Sequence, residues 1–162
     1  MAAATDFSTR EAAQIFLARN LPLATAANPK YRSGQPGVLM AWITRTIAFA
    51  PESNGLRLAM DEEVLEFRDG LRSKTGSHES QFSLADVVIS ETTSSDTLTE
   101  SGDPAAGVLF RCKSGSCIAS RYDGAPSQTD WTDISIQDDA MRARILSAFL
   151  ALQRLSGAAA AP

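Results

Sequence analysis

The chain has 162 residues, of which 44% are hydrophobic and 21% are charged, and its formal net charge is −4. This length and composition predict one soluble globular domain that buries a hydrophobic core without help from a metal ion or disulfide bonds. The acidic balance argues against nucleic acid and anionic membranes as partners, because an acidic surface repels phosphate groups.

The chain begins with a predicted short helix. Ser8 and Glu11 have the spacing of a capping box, in which each side chain bonds the backbone N–H of the other residue. The helix is expected to end before Pro22, because the residue preceding a proline avoids helical backbone angles. Residues 24–37 combine turn-forming residues with no periodicity, so residues 1–37 are predicted to form an N-terminal helix and a linker arm.

The middle of the chain reads as a series of strands. Residues 39–49 fit either a helix or a strand, and their density of β-branched side chains favours a strand. Alternating apolar and polar residues then predict strands over 56–60, 65–67 and 81–89. Residues 91–107 are rich in Ser, Thr and Asp, which indicates a long exposed loop.

The last third predicts a hairpin, a strand and a helix. Residues 108–122 are expected to form the hairpin, and Trp131–Gln137 the last strand. The helix begins at a cap provided by Asp138 or Asp139, ends at Gly157 and points its arginines outward. Its buried stripe is predicted to comprise Met141, Ile145, Ala148, Phe149, Leu152 and Leu155.

This pattern predicts a single α+β domain over residues 38–157, followed by a disordered tail over 158–162. The longest apolar stretch is far shorter than the ~20 residues that cross a bilayer. The N-terminus also lacks the features of a secretory signal. We therefore expect a cytoplasmic protein that does not associate with membranes.

The candidate catalytic and metal-binding residues are few. No dinucleotide-binding, phosphate-binding loop, zinc-hydrolase or serine-hydrolase motif is found, so we predict no catalytic residue, no cofactor and no metal. The lone His78 lies in a polar stretch and is predicted to be a solvated loop residue rather than a general base. Asp61, Glu62 and Glu63 lie between two predicted strands, where a charged turn is favoured over a cation site or an acidic contact patch.

Cys112 and Cys117 form the most specific local feature. If Ser114 and Gly115 form a two-residue turn, the cysteines face each other in a non-hydrogen-bonded pair, with Cα atoms about 4.5 Å apart. That separation is near the short end of the disulfide range. The pair is therefore a candidate redox pair, either a reducible disulfide that acts as a switch or two reduced, small apolar side chains. The expected cytoplasmic location favours reduced thiols.

The strand pattern over 56–89, the predicted hairpin and the run Asp133–Gln137 into the final helix together resemble the pleckstrin-homology-like (PH-like) superfold. This fold occurs in small bacterial proteins of unknown function, and the resemblance covers residues 40–156. It implies an antiparallel, partly open β-barrel or bent sheet with a C-terminal amphipathic helix that caps one end, to which the short helix predicted at the N-terminus is added. The basic phosphoinositide patch of lipid-binding members is missing, so no functional residue is carried over.

The acidic charge and terminal helices are also similar to those of type III secretion chaperones, which are small dimeric α+β proteins. The leucine-rich middle helix of that class is missing, so this resemblance ranks second.

We therefore predict a non-catalytic binding module with a protein or peptide partner, which adds to a strand edge or to the groove beside the final helix. The alternatives are a dimeric acidic chaperone and a small enzyme with an unrecognised site. A stable dimer would favour the chaperone. A pocket that collects several perturbed ionisable groups would favour the enzyme.

Overall fold

A computed structural model describes residues 7–27, 31–32 and 34–160. Within these residues the chain forms two α-helices and nine β-strands. A short 3-10 helix, Leu84–Asp86, precedes the fifth strand. In chain order the elements are α1 (Arg10–Ala26), β1 (Tyr31–Arg32), β2 (Val38–Glu52), β3 (Gly55–Arg68), β4 (Leu71–Ser83), β5 (Val87–Leu98), β6 (Pro104–Cys112), β7 (Ile118–Tyr122), β8 (Ala125–Thr129), β9 (Trp131–Ser135) and α2 (Asp139–Ala160).

The strands form two antiparallel sheets, and neither closes into a barrel. The larger sheet has the order β1-β2-β3-β4-β7-β8, and the smaller sheet has the order β5-β6-β9. The predicted α+β class with antiparallel strands is therefore confirmed, whereas two open sheets stand in place of the single partly open barrel or bent sheet that was expected.

The long strands of the larger sheet decide two of the sequence predictions. Residues 39–49 lie in β2, which confirms the strand over the helix. The charged turn predicted at Asp61, Glu62 and Glu63 is wrong, because these residues lie in the middle of β3 and pair with both β2 and β4. The buried face of β3 simply continues from Met60 to Glu62, so the carboxylates do not end the strand.

The smaller sheet overturns two further predictions. The loop expected over 91–107 is mostly sheet, since β5 and β6 pair from Val87 and Cys112 to Leu98 and Pro104. Its Ser and Thr residues are compatible with a strand that has one polar face. The hairpin expected over 108–122 does not form, because β6 pairs with β5 and β9, whereas β7 pairs with β4 and β8. The chain crosses between the two sheets there.

Helix α1 is longer than predicted and belongs to the core. Thr9, rather than Ser8, is its N-cap and accepts a hydrogen bond from the backbone N–H of Ala12. Pro22 lies inside the helix, which continues into the segment predicted to be a linker. Leu17 and Leu21 are fully buried on its inner face. That burial holds the helical path through the proline, which overrides the local preference that predicted an end.

Helix α2 buries most of its predicted stripe, namely Ile145, Ala148, Phe149 and Leu152, whereas Met141 and Leu155 are half-buried. Its buried side chains join those of both sheets and α1 in one core, where the ring centroids of Phe110 and Phe149 are 4.9 Å apart. The side chain of Asp138 accepts from the N–H of Met141, which confirms the predicted cap. The predicted stop at Gly157 and the tail from residue 158 are wrong, because the helix continues to Ala160; residues 161 and 162 lie outside the described part.

Arg142 is the exception to the outward orientation predicted for the arginines of α2. Its guanidinium donates to the backbone carbonyls of Ile136 and Gln137 and is only 12% exposed. It therefore closes the junction between β9 and the helix. Neither α2 nor any other described helix is long and apolar enough to cross a membrane.

Candidate functional site

Three side chains form a row across the larger sheet. Glu62 on β3 lies directly opposite His78 on β4, and His78 lies directly opposite Tyr122 on β7. Side chains opposite each other on neighbouring strands project from the same face, so antiparallel register alone brings these three together. The same face carries the hydrophobic core further along, at Met60 and Phe82.

The first two residues of this row form a buried hydrogen-bonded pair. Nδ1 of His78 is 2.8 Å from Oε1 of Glu62, and the two side chains are 5% and 7% exposed. If Glu62 is ionised, Nδ1 carries the proton, because a carboxylate can only accept. Nε2 of His78 is buried and has no hydrogen-bond partner among the described residues. The prediction that His78 is a solvated loop residue is therefore wrong.

Aromatic rings surround the imidazole. The rings of His78 and Tyr122 stack at 4.1 Å with an interplanar angle of 11°. Trp42 on β2 stands nearly perpendicular to both rings, with centroid distances of 6.2 Å to each. The side chains of these three residues and Glu62 thus form one wall of polar groups set among aromatic rings.

This wall bounds a cavity of about 780 Å³ between the two sheets. The opposite wall comes mainly from β9, where alternation turns Ile134 into the core and leaves Trp131, Asp133 and Ser135 facing the cavity. Tyr122 and Trp131 are 49% and 50% exposed, so the cavity is accessible from solvent. Its lining also includes Tyr31, Arg32, Met40, Thr92, Leu109, Arg111, Ser120, Gln128, Thr129 and Asp130.

The charges at this end of the cavity perturb one another. The pKa of Asp133 is raised to about 6, chiefly because the surrounding walls exclude water and secondly because Glu62 is nearby, while His78 acts in the opposite direction. Asp133 is nevertheless exposed on the side that faces the cavity. The pKa of Tyr122 is also raised, first by burial and then by Glu62 and Asp133. Two carboxylates therefore act on the same small volume.

The three carboxylates singled out in the sequence are divided between the two faces of β3. Glu62 points into the cavity. Glu63 projects from the other face and binds Arg45 through both carboxylate oxygens, at 3.1 and 2.8 Å, and this hydrogen bonding lowers its pKa. Asp61 accepts a hydrogen bond from the hydroxyl of Thr46. The alternation of the strand separates residues that are adjacent in sequence.

Metal binding finds no support in the part of the chain that the structure describes. No group of three or more His, Cys, Asp or Glu side chains converges there as a metal site would require. Glu62 and His78 lie on one wall and Asp133 on the wall that faces it.

Cys112 and Cys117 are joined in a disulfide with a Cα–Cα separation of 5.8 Å. The sequence favoured free thiols facing each other across a hairpin. The structure instead places the bond in the segment between β6 and β7, where it links the ends of strands that belong to different sheets. Such bonds are rare in the cytoplasm. The cytoplasmic location expected from the sequence stays a prediction, and the disulfide does not favour it.

Comparisons with known proteins identify no relative: no family model, no curated protein and no solved structure matches the chain.

Sequence reasoning missed Asp133 and Trp131 as partners of Glu62 and His78. The signal was present locally, because Ile134 and Ile136 mark the buried face of the last strand and Asp133 therefore lies on the other face. What could not be read was that this other face meets the larger sheet.

Proposed function

We propose that the protein is a non-catalytic binding module that holds part of a protein or peptide partner in the cavity between its two sheets. The observation that carries the proposal is the cavity itself. Its volume of about 780 Å³ lies within the range typical of ligand sites, roughly 300–1,000 Å³. Aromatic rings with a few polar groups between them are also the usual lining of such sites.

A peptide suits this cavity because a free sheet edge borders it. Strand β9 pairs with β6 on one side, and no described strand pairs with its other edge. An extended segment that adds to β9 would direct alternate side chains toward the cavity. Strand β8 is also an edge strand, but Pro126 removes one N–H from its row of donors. We therefore place the partner along β9.

The geometry of His78 favours binding over the alternative of a small enzyme. A general base must come within hydrogen-bond distance of the proton that it removes. Nδ1 of His78 is engaged by Glu62, and Nε2 has no contact with solvent. The pair therefore fixes the position of the Tyr122 ring, which stacks on the imidazole.

Two further parts of the sequence prediction belong to this proposal. The PH-like relationship is supported by the two antiparallel sheets and the C-terminal helix, although α1 lies in the core rather than in a separate arm. The exclusion of nucleic acid and anionic membranes as partners is supported by the net charge of −4.

Selection of heptapeptides from a random phage-display library tests the proposal. Peptides that bind the wild type should be lost on Tyr122→Ala or Trp131→Ala, which remove half-exposed rings from the cavity. They should be retained on Leu71→Ala, which removes a 76% exposed side chain outside the cavity lining. Mass spectrometry should recover the bound peptide intact.

Equal binding to the three variants would place the peptide site elsewhere and contradict the cavity proposal. Recovery of a cleaved or modified peptide would contradict the non-catalytic part and favour the enzyme.

A further inference from the structure

We infer that the cavity selects a cation, namely a lysine or arginine side chain that the peptide partner inserts between Trp42, Tyr122 and Asp133. This inference rests on the proposed function and names the chemistry that the site recognises. It is carried by three observations: carboxylates on both walls, arginines in the lining that form no ion pair with them among the described residues, and aromatic rings beside the carboxylates.

One carboxylate lies on each wall of the cavity. Glu62 on one wall and Asp133 on the other are near enough for the charge of Glu62 to raise the pKa of Asp133. Asp133 forms no ion pair with any described residue, and a hydrogen bond to Glu62 is supplied only by His78. Buried or enclosed carboxylates are normally paired with a cation. Asp133 is exposed in the cavity and is therefore open to a cation that a ligand would bring.

The arginines of the lining form no ion pair with Glu62 or Asp133 among the described residues. Arg32 and Arg111 both line the cavity and are exposed, and Arg32 donates to the backbone carbonyl of Glu100. The charged groups that shift the pKa of Asp133 are Glu62 and His78 rather than either arginine. The charged groups that raise the pKa of Tyr122 are likewise Glu62 and Asp133.

The aromatic rings complete the preference. Trp42, Tyr122 and Trp131 line the same cavity, and a lysine or arginine head group binds favourably over the face of such rings. One face of Tyr122 is covered by His78, which leaves the rest of this half-exposed ring for a ligand. The methylene stem of a long basic side chain would pack against Met40 and Leu109, which also line the cavity.

Other ligand classes fit less well. An anion would meet Glu62 and Asp133 at the enclosed end. A neutral apolar side chain would remove water from Asp133 without giving it a partner, which is unfavourable for an ionised carboxylate. A cation alone satisfies both the carboxylates and the rings.

The test uses three pentapeptides of acetylated, amidated alanine that carry lysine, norleucine or glutamate at the centre, with methylammonium as a fourth probe. The chain has two tryptophans, and both line the cavity, so intrinsic fluorescence reports directly on occupancy. At physiological salt the lysine peptide should bind at least about tenfold more tightly than the norleucine peptide, as expected for a charge-assisted contact.

Two variants that each remove one negative charge distinguish an effect of Asp133 on lysine binding from an effect of the net charge of the protein. Asp133→Asn should abolish the preference for lysine over norleucine. Glu79→Gln should leave it unchanged, because Glu79 is exposed and lies on the other face of β4 from His78.

Equal affinity for lysine and norleucine peptides would overturn the inference while leaving the cavity as a peptide site. If methylammonium binds as tightly as the lysine peptide, the cation is confirmed but its source is a free amine rather than a partner side chain. If none of the four probes changes the fluorescence, both the cation and the peptide-binding function are overturned.

Discussion

Glu62 and His78 lie opposite each other on β3 and β4, and a hydrogen bond of 2.8 Å joins Oε1 to Nδ1 with both side chains buried. The pair lies on the face of the sheet that carries the hydrophobic core, yet it borders the cavity. The position of Tyr122 depends on it, because the Tyr122 ring stacks on the imidazole. Stability and binding are therefore coupled at this pair.

Replacing Glu62 with Ala should destabilise the fold by about 1–3 kcal/mol, because it leaves a buried imidazole nitrogen without a partner. Urea unfolding of the purified variant measures this loss. Glu63→Ala is the matched control, since it removes a neighbouring carboxylate whose ion pair with Arg45 is partly exposed. Such a pair is worth at most about 1 kcal/mol. Equal losses for the two variants would show that the Glu62–His78 bond contributes no more than a surface contact.

The raised pKa of Asp133 predicts a pH-dependent effect of Asp133→Asn. The carboxyl has a pKa of about 6 in the folded protein against an ordinary value of 3.8. Between these values the folded state binds the proton more tightly, so the contribution of Asp133 to stability falls as the pH rises from about 4 to about 6.

Asparagine lacks this titration. The free energy of unfolding of the variant relative to wild type should therefore rise across that window and level off above it. The charged groups that face Asp133 are Glu62 and His78, and both are present in the two proteins. Urea melts at intervals from pH 4 to pH 8 measure it, and a difference that stays flat would mean that Asp133 titrates like an ordinary exposed aspartate.

The sequence was sufficient to predict an element wherever the local pattern and the tertiary structure agree. The apolar stripe of α2 and its cap at Asp138 follow from spacing alone, and so does the strand over 39–49. Such features depend on neighbours within one element.

It was insufficient where tertiary contacts override local chemistry. Pro22 has the local signature of a helix end, but the burial of Leu17 and Leu21 continues the helix through it. Adjacent carboxylates looked like a turn, although Glu62 keeps the alternation of Leu58 and Met60. An interpretation that gave more weight to this alternation would have found the buried glutamate.

The candidate site depends on pairing between distant strands, which spacing does not encode. His78 and Tyr122 are neighbours only because β4 pairs with β7 rather than with β5. Asp133 lies near them only because the face of the smaller sheet opposite Ile134 is turned toward the larger sheet. The apolar residues of Val108–Cys112 and Ile118–Tyr122 fitted a hairpin equally well, so the sequence favoured the shorter connection.

Gly107 provides a test of how closely β6 and β9 approach. A Cβ atom at this position would overlap the backbone carbonyl oxygen of Ile134. Gly107→Ala should therefore push the strands apart and lower the free energy of unfolding by about 1–3 kcal/mol. Weaker peptide binding should accompany this loss, since β9 carries Trp131 and Asp133.

Gly157→Ala is the control for that variant, because no atom lies within 4 Å of the new methyl group and the residue is inside α2. Its stability should be unchanged or higher by up to about 1 kcal/mol, as alanine is the better helix former. A similarly harmless Gly107→Ala would mean that the two strands can separate without cost.

The disulfide between Cys112 and Cys117 predicts how the fold responds to reduction. The bond closes a short loop, with a sequence separation of 5, and restricting so short a loop in the unfolded chain stabilises the fold by about 2 kcal/mol. The double change Cys112→Ala and Cys117→Ala should remove about that amount in urea unfolding. Thiol titration of the wild type under native, non-reducing conditions should find no free thiol, because the chain has two cysteines and both are bonded.

Reduction separates the cross-link from the side chains themselves. Dithiothreitol should lower the stability of the wild type to about that of the double variant and leave the variant unchanged, since the variant has no bond to break. Cys112→Ala alone should behave like the double variant, because either change removes the whole cross-link. Peptide binding should survive reduction, because neither cysteine lines the cavity, although Ser116 beside Cys117 does. If dithiothreitol has no effect on the wild type and two thiols titrate in the native protein, the cysteines are free, as the sequence alone had favoured, and the link between β6 and β7 contributes nothing to stability.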